Sequence, residues 1–354
     1  MSLHRYGVLK GKAIASQQGV GASPHFQIHI VDDTHEYRIA INVKSQLAPS
    51  ELLYAIVDDF QHPITELHSE LPLGFTELAC RPGSGALDYI RGNLFDWSAL
   101  RVLPYSVPGP DNDLNDKISA YVQRAIADEL AEVYAFGERW GPENDKRDRY
   151  FGFLPGNGVH DIHMNQGNAQ RYRDDDGVWQ DGGLLIHFPE IRDESESVVW
   201  SRQWVALFLA FQSQARHTDD QTGHRLGDAP SPTPIPEPTQ PAAVDGRVRI
   251  VAALVNPEGG DVGLETVTVL NTTPEAIDLR GWSIVDKNKK RETLDSVVVA
   301  PGDTQRITLS GDGAQLSNDG GAISLLDPEG LKVHGVSYTR AQAQRSRWTI
   351  VFCP

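Results

Sequence analysis

Prolines stand at positions 230, 232, 234, 236, 238 and 241 of the segment DAPSPTPIPEPTQPAAVDG, residues 228–246. Alternating proline fixes φ and withholds backbone N–H donors, so this segment predicts an extended, semi-rigid spacer of about 3.1 Å per residue. It divides the chain into a domain of residues 1–227, a linker of residues 228–246 and a domain of residues 247–354.

The length agrees with that division, because 354 residues exceed one ordinary core and domains run on the order of 100–200 residues. The 40% hydrophobic and 23% charged residues are those of a soluble globular chain. No stretch approaches the ~18 unbroken apolar residues of a membrane span. The start, MSLHRYGVLKGKAIASQQG, carries basic residues but no apolar run ahead of a small-residue cleavage site, so the expected location is cytoplasmic. Cys80 and Cys353 lie at opposite ends and in no CxxC pair, which speaks against a disulfide framework or a structural zinc knot.

Charge is unevenly placed. Residues 1–228 hold 20 basic and 33 acidic side chains, a net of -13, while residues 246–354 hold 12 and 13, a net of -1. A surface this negative repels phosphate backbones over roughly a Debye length and disfavours unaided nucleic-acid binding by the first domain. A bound metal ion would change that locally.

Before the spacer the pattern is α+β and strand-rich. HFQIHIV and EYRIAINV alternate apolar and polar positions around DDTH and predict a hairpin. RDRYFGFL, GVHDIHM, GVWQDGGLLIHF and WVALFLAFQ read as further strands. In residues 112–141, Leu114, Ile118, Tyr121, Val122, Ala125, Leu130, Val133 and Phe136 recur at roughly helical spacing, predicting one long helix ended by Gly141 and Pro142. After the spacer only short β segments remain: VRIVAALVN, ETVTVLN, WSIVD, TQRITL, AISLLD and VHGVSY. Turns such as NPEGGD, NDGG and DPEG separate them, and the set predicts an all-β immunoglobulin-like sandwich.

The segments ETVTVLNTTPEAIDLRGWSIVD and LSNDGGAISLLDPEGLKVHGVSY resemble a bacterial lamin-tail domain. Glu265, Asn271, Asp278, Gly281, Trp282, Asp286, Asp327, Gly330 and Tyr338 carry the likeness, with Ile284 at a position where that family has leucine. The resemblance implies an immunoglobulin-like fold used for binding or tethering, with no active site. The first domain is similar to the YukJ-like bacterial family through YGVLKG, ALDYIRGNLFD, PGPDNDLND, GVHDIHMNQGN, DGGLLIHFP and AFQSQARHTDDQTGH. One departure is Arg216, where an aromatic residue is expected. This second resemblance implies no reaction.

The chemistry-bearing residues cluster around GNGVHDIHMNQGN, residues 156–168. On a strand, Asp161, His163 and Asn165 face one way and His160, Ile162 and Met164 the other. In QDGGLLIHF, Asp181, Gly183, Leu185 and His187 share a face. His160, His163, His187, His217 and His224 fall within 65 residues, where even spreading of the twelve histidines would place about two. Imidazole and carboxylate are common ligands for divalent metals, and a metal with a vacant position can acidify water or bind a phosphoryl oxygen. The metal-ligand candidates are Asp161, His163, His187 and His217, and the catalytic candidates are His160, Asp219 and His224. Asn165, Gln166, Arg91 and Gln212 are candidates for holding an anionic or phosphate-containing ligand. The competing reading is that these groups hydrogen-bond one another, as buried polar atoms require.

Other motifs weigh differently. The Gly-rich turns PGNG and NQGN suit positive φ, although such turns also form anion nests. DNDLND lacks the Gly and Glu of a calcium loop and is better read as a helix start. In LDYIRGNLFD, Asp88, Arg91, Asn93 and Asp96 offer either an anion site or ordinary ion pairs. DKNKKR and RAQAQRSR are the basic clusters of the second domain, solvated loops unless they share one edge against an anionic partner such as nucleic acid or protein.

Two functions follow. One is a metal-dependent hydrolase, phosphodiesterase or nuclease-like, using a divalent ion and directed by the immunoglobulin-like module. The other is a non-enzymatic two-domain adaptor whose His/Asp cluster is structural. No H-E-x-x-H, G-x-S-x-G or Walker loop decides between them. The number of titratable groups in one region leans toward the hydrolase.

Overall fold

The computed structural model describes residues 5–19, 25–44, 50, 52–79, 84–89, 92–96, 99–103, 113–160, 181–192, 198–200, 202–211, 246–295, 297–330 and 332–352. In the first domain the order is β1 (Tyr6–Gln18), β2 (His25–Val31), β3 (Glu36–Asn42), β4 (Leu52–Val57), α1 (Ile64–Ser69), β5 (Gly74–Glu77) and β6 (Arg101–Val102). Then come α2 (Asp113–Ala127), β7 (Glu132–Glu143), β8 (Gly156–His160), β9 (Gly183–Phe188), the ribbon β10 (Ile191–Arg192) and β11 (Val198–Trp200), and β12 (Gln203–Phe211). All strands except the ribbon join one sheet in the order β5-β1-β2-β3-β8-β7-β9-β12-β4-β6, and β1 also pairs with β7.

That extra pairing closes β1, β2, β3, β8 and β7 into a barrel. Residues 6–11 of β1 pair with β7, residues 12–18 with β2, and the register breaks between Ala13 and Ala15. A bulge bends a strand, which lets one strand serve both walls. β3 and β8 run parallel, with Arg38 opposite Gly158. The strand order is that of a five-stranded Greek-key barrel of the OB type. A Cβ at Gly158 would overlap the Arg38 carbonyl oxygen, so closure at this pair depends on glycine.

Two apolar clusters use the two faces of the sheet. Ile28, Ile30, Ile39, Ile41, Val133 and Val159 pack inside the barrel with Leu114, Ile118 and Val122 of α2. On the other face, Tyr6, Tyr134, Phe136, Trp204 and Phe208 pack with Ile64, Leu87, Tyr89 and Phe95. A sheet covered on both sides gives continuous apolar strands, and these imitate helices in sequence.

This accounts for a correction. The helix expected through Phe136 ends at Ala127, and Val133 and Phe136 belong to β7. Asp128 turns the chain, accepting the Leu130 N–H on its side chain at 3.0 Å and the Ala131 N–H on its carbonyl at 3.1 Å. A second correction concerns RDRYFGFL, which is a loop between β7 and β8 rather than a strand. Its Asp148 carboxylate accepts the N–H groups of Tyr150 and Phe151, each at 2.9 Å, and curls the backbone on itself.

The second domain contains β13 (Val248–Leu254), β14 (Thr266–Asn271), β15 (Ile277–Asp278), β16 (Ser283–Val285), β17 (Arg291–Thr293), β18 (Val298–Val299) and β19 (Thr304–Thr308). β20 (Gly321–Leu326), β21 (Lys332–Tyr338), α3 (Arg340–Ala343) and β22 (Thr349–Val351) follow. Sheets β19-β14-β13-β22 and β17-β16-β20-β21 enclose a separate core that includes Val267, Trp282, Ile284, Ile323 and Tyr338. The residues of the lamin-tail motif build this sandwich. Asn271 is fully buried and donates to the carbonyls of Glu275 at 2.6 Å and Val299 at 3.0 Å. Asp286 accepts from the backbone of Asn288, Lys290 and Gln315, which makes DKNKKR a turn. Among the described residues no helix is long and apolar enough to cross a membrane.

Candidate functional site

His187 is the best-defined of the candidate side chains. On β9 it lies opposite Glu132 of β7 and Trp204 of β12, so three strands fix its surroundings. Its ring stacks on Trp204 with centroids 4.4 Å apart. Arg202 Nε donates to its Nε2 at 3.2 Å, which puts the ring proton on Nδ1, facing Glu132 Oε2 at 3.4 Å. Both ring nitrogens are engaged.

Glu132 collects the rest of the cluster. Tyr134 donates its hydroxyl to Oε2 at 2.8 Å, and Lys10 Nζ lies 3.0 Å from Oε1. Burial alone would raise this carboxyl, but the hydrogen bonds from His187, Tyr134 and Lys10 outweigh it and hold the group at about 2. Lys10 also donates to the carbonyls of Ser69 at 3.0 Å and Leu71 at 3.2 Å, tying the sheet to the end of α1. The arrangement fixes charges against one another and stiffens the junction of β1, β7, β9 and β12.

His160 stands elsewhere. It is exposed at the end of β8, opposite Glu138 of β7, with its ring 5.3 Å from that of His25. Glu132 and Glu138 are six residues apart on β7, about 20 Å at ~3.3 Å per residue. His160 and His187 therefore belong to different places on the sheet. Asp161, His163, Asn165, Gln166, Arg91, Gln212, His217, Asp219 and His224 lie outside the described residues. Among the described residues no group of three or more His, Cys, Asp or Glu side chains is placed to hold a metal ion. Asp181, expected on the face of His187, is fully buried and accepts the Tyr89 N–H at 2.8 Å.

Sequence reasoning missed the Arg38 cluster. Arg38 points out of the barrel wall and pairs with Asp148 at 2.6 Å, with Nη1 donating to Gln27 Oε1 at 2.6 Å. Its guanidinium lies 5.0 Å from the Trp140 ring centroid and 5.1 Å from that of Tyr150. Beside it His29 stacks on Phe151 at 4.7 Å. OB-type barrels bind ligands over strands 2 and 3. Here the loop after β7 fills that face. The alternation HFQIHIV and EYRIAINV announced two outward polar rows, but nothing local announced what covers them.

The architecture defines a class: a closed Greek-key barrel domain carrying a β-sandwich of lamin-tail type. The chain belongs to the family described as an uncharacterized conserved protein (DUF2278), whose model matches residues 1–223. The Lamin Tail Domain model matches residues 241–340. The first domain is similar to the "Uncharacterized protein YukJ" of Bacillus subtilis (strain 168), at 43% identity over 224 residues, 62% of this chain and 93% of that one.

Proposed function

We propose that this protein is a non-enzymatic two-domain adaptor, acting in the cytoplasm, in which the barrel domain is a rigid platform and the lamin-tail domain a binding module. The observation that carries the reading is His187, whose two ring nitrogens are engaged by Arg202 and Glu132 and whose face lies on Trp204. That is the environment of a structural histidine, satisfied on every side.

The hydrolase reading needs Asp161, His163, His187 and His217 around one divalent ion, with His160, Asp219 and His224 nearby. The roughly 20 Å of strand between the backbone partners of His160 and His187 disfavours that convergence. The adaptor reading predicts that His163→Ala and Asp161→Ala leave metal content unchanged, while His187→Ala lowers stability without removing a metal. A phosphodiesterase activity that needs an added divalent ion and disappears in His163→Ala would overturn it.

A further inference from the structure

Residues 92–96, between β5 and β6, include Asn93 and Asp96, whose side chains both reach the second domain. Asn93 adopts a positive φ of 51°. His62 holds the loop from behind: Nε2 donates to the Gly92 carbonyl at 2.8 Å while Nδ1 accepts the Ile64 N–H at 3.1 Å.

The Asn93 amide enters the second domain. Nδ2 lies 3.3 Å from the Ile323 carbonyl, 3.2 Å from Ser324 Oγ and 3.3 Å from the Val336 carbonyl. Oδ1 accepts from Lys332 Nζ. Ser324 and Gly335 face each other across β20 and β21, and a Cβ at Gly335 would overlap Asn93 Oδ1. Gly335 is therefore a notch that fits this amide. Three residues on, Asp96 pairs with Arg249 of β13. Asn93 and Lys332 are both buried, at 5% and 9% exposure. An ammonium so placed needs acceptors, and Asn93 supplies one from the other domain. Burial draws Lys332 down to about 7, with Asp88 opposing the shift.

We propose that Asn93 and Asp96 form a docking site for the β20–β21 face of the lamin-tail domain, which seats that domain as a fixed part of the molecule instead of leaving it free on its linker. The two domains have separate apolar cores. The Bacillus subtilis relative, 93% covered by the match, has no room for a second domain of this size.

The test measures rotational diffusion of the full chain by backbone NMR relaxation, with Asn93→Ala and Gly335→Val as variants. The wild type tumbles as one body with one correlation time. Each variant splits into two faster-tumbling domains, and Asn93→Ala does so with an unaltered sandwich. In trans, residues 1–227 bind residues 247–354, and either substitution weakens that binding at least about tenfold, or 1.4 kcal/mol. Independent tumbling of the wild-type domains, or a single correlation time in both variants, would overturn the proposal.

Discussion

His187 lies nearly parallel to Trp204, with ring planes 17° apart and centroids 4.4 Å apart. Neither residue is near the other in sequence; the antiparallel pairing of β9 with β12 brings them face to face. With Arg202 and Glu132 on its two nitrogens, the imidazole is a joint between strands. His187→Ala should therefore cost about 1–3 kcal/mol in urea unfolding, since Glu132 and Arg202 each lose a partner. A cost below ~0.5 kcal/mol would show that the joint contributes nothing beyond an ordinary surface contact.

Glu132 links the same cluster to pH. Its carboxyl is held at about 2 against an ordinary 4.5, so the folded state binds the proton less readily than the unfolded state. The resulting stability is present above pH 4.5 and is lost as pH falls toward 2. Because the side chain is 31% exposed, solvent screening reduces the contribution to on the order of 1 kcal/mol. Glu132→Gln should remove that much at pH 7 and little near pH 2, which pH-dependent thermal unfolding of both proteins will read.

Arg38 and Asp148 form a buried pair at 2.6 Å that pins the loop after β7 to the barrel wall. Arg38→Ala should cost about 3–5 kcal/mol, because it leaves a buried carboxylate without its cation. Adding Asp148→Asn removes that charge but keeps an acceptor for Tyr150 and Phe151, so the double variant should recover part of the loss. A double variant less stable than Arg38→Ala would contradict this assignment.

Glu265 gives the opposite sign in the second domain. Burial pushes its carboxyl up to about 7 even though the Leu316 N–H lies 2.9 and 3.1 Å from its two oxygens. A raised folded value means that its stabilising contribution is complete below pH 4.5 and is lost as pH rises through 7. The wild-type sandwich should weaken by on the order of 2 kcal/mol between pH 4.5 and 7 through this group. Glu265→Gln should lack that part of the slope, which denaturant titrations at several pH values will measure.

Features carried by neighbouring residues were legible in the sequence. The alternation in HFQIHIV and EYRIAINV marks β2 and β3 as a hairpin, and the short segments after the spacer mark the strands of the sandwich. Barrel closure was not legible, because β1 divides its length between β7 and β2 and no periodicity reports a partner more than a hundred residues away. Val133 to Phe136 imitated a helix because both faces of β7 are covered. Of the candidate site, the sequence identified His187 but not Lys10, Glu132, Arg202 or Trp204, which pairing across strands assembles around it. Asn93 was visible as a polar loop residue, while its notch at Gly335 depends on how two domains meet.

The most direct test of the adaptor account is the metal content of the full chain purified without chelator, measured beside His163→Ala and Asp161→Ala. The account predicts substoichiometric metal in all three proteins. One equivalent of tightly held divalent metal in the wild type, absent from His163→Ala, would contradict it.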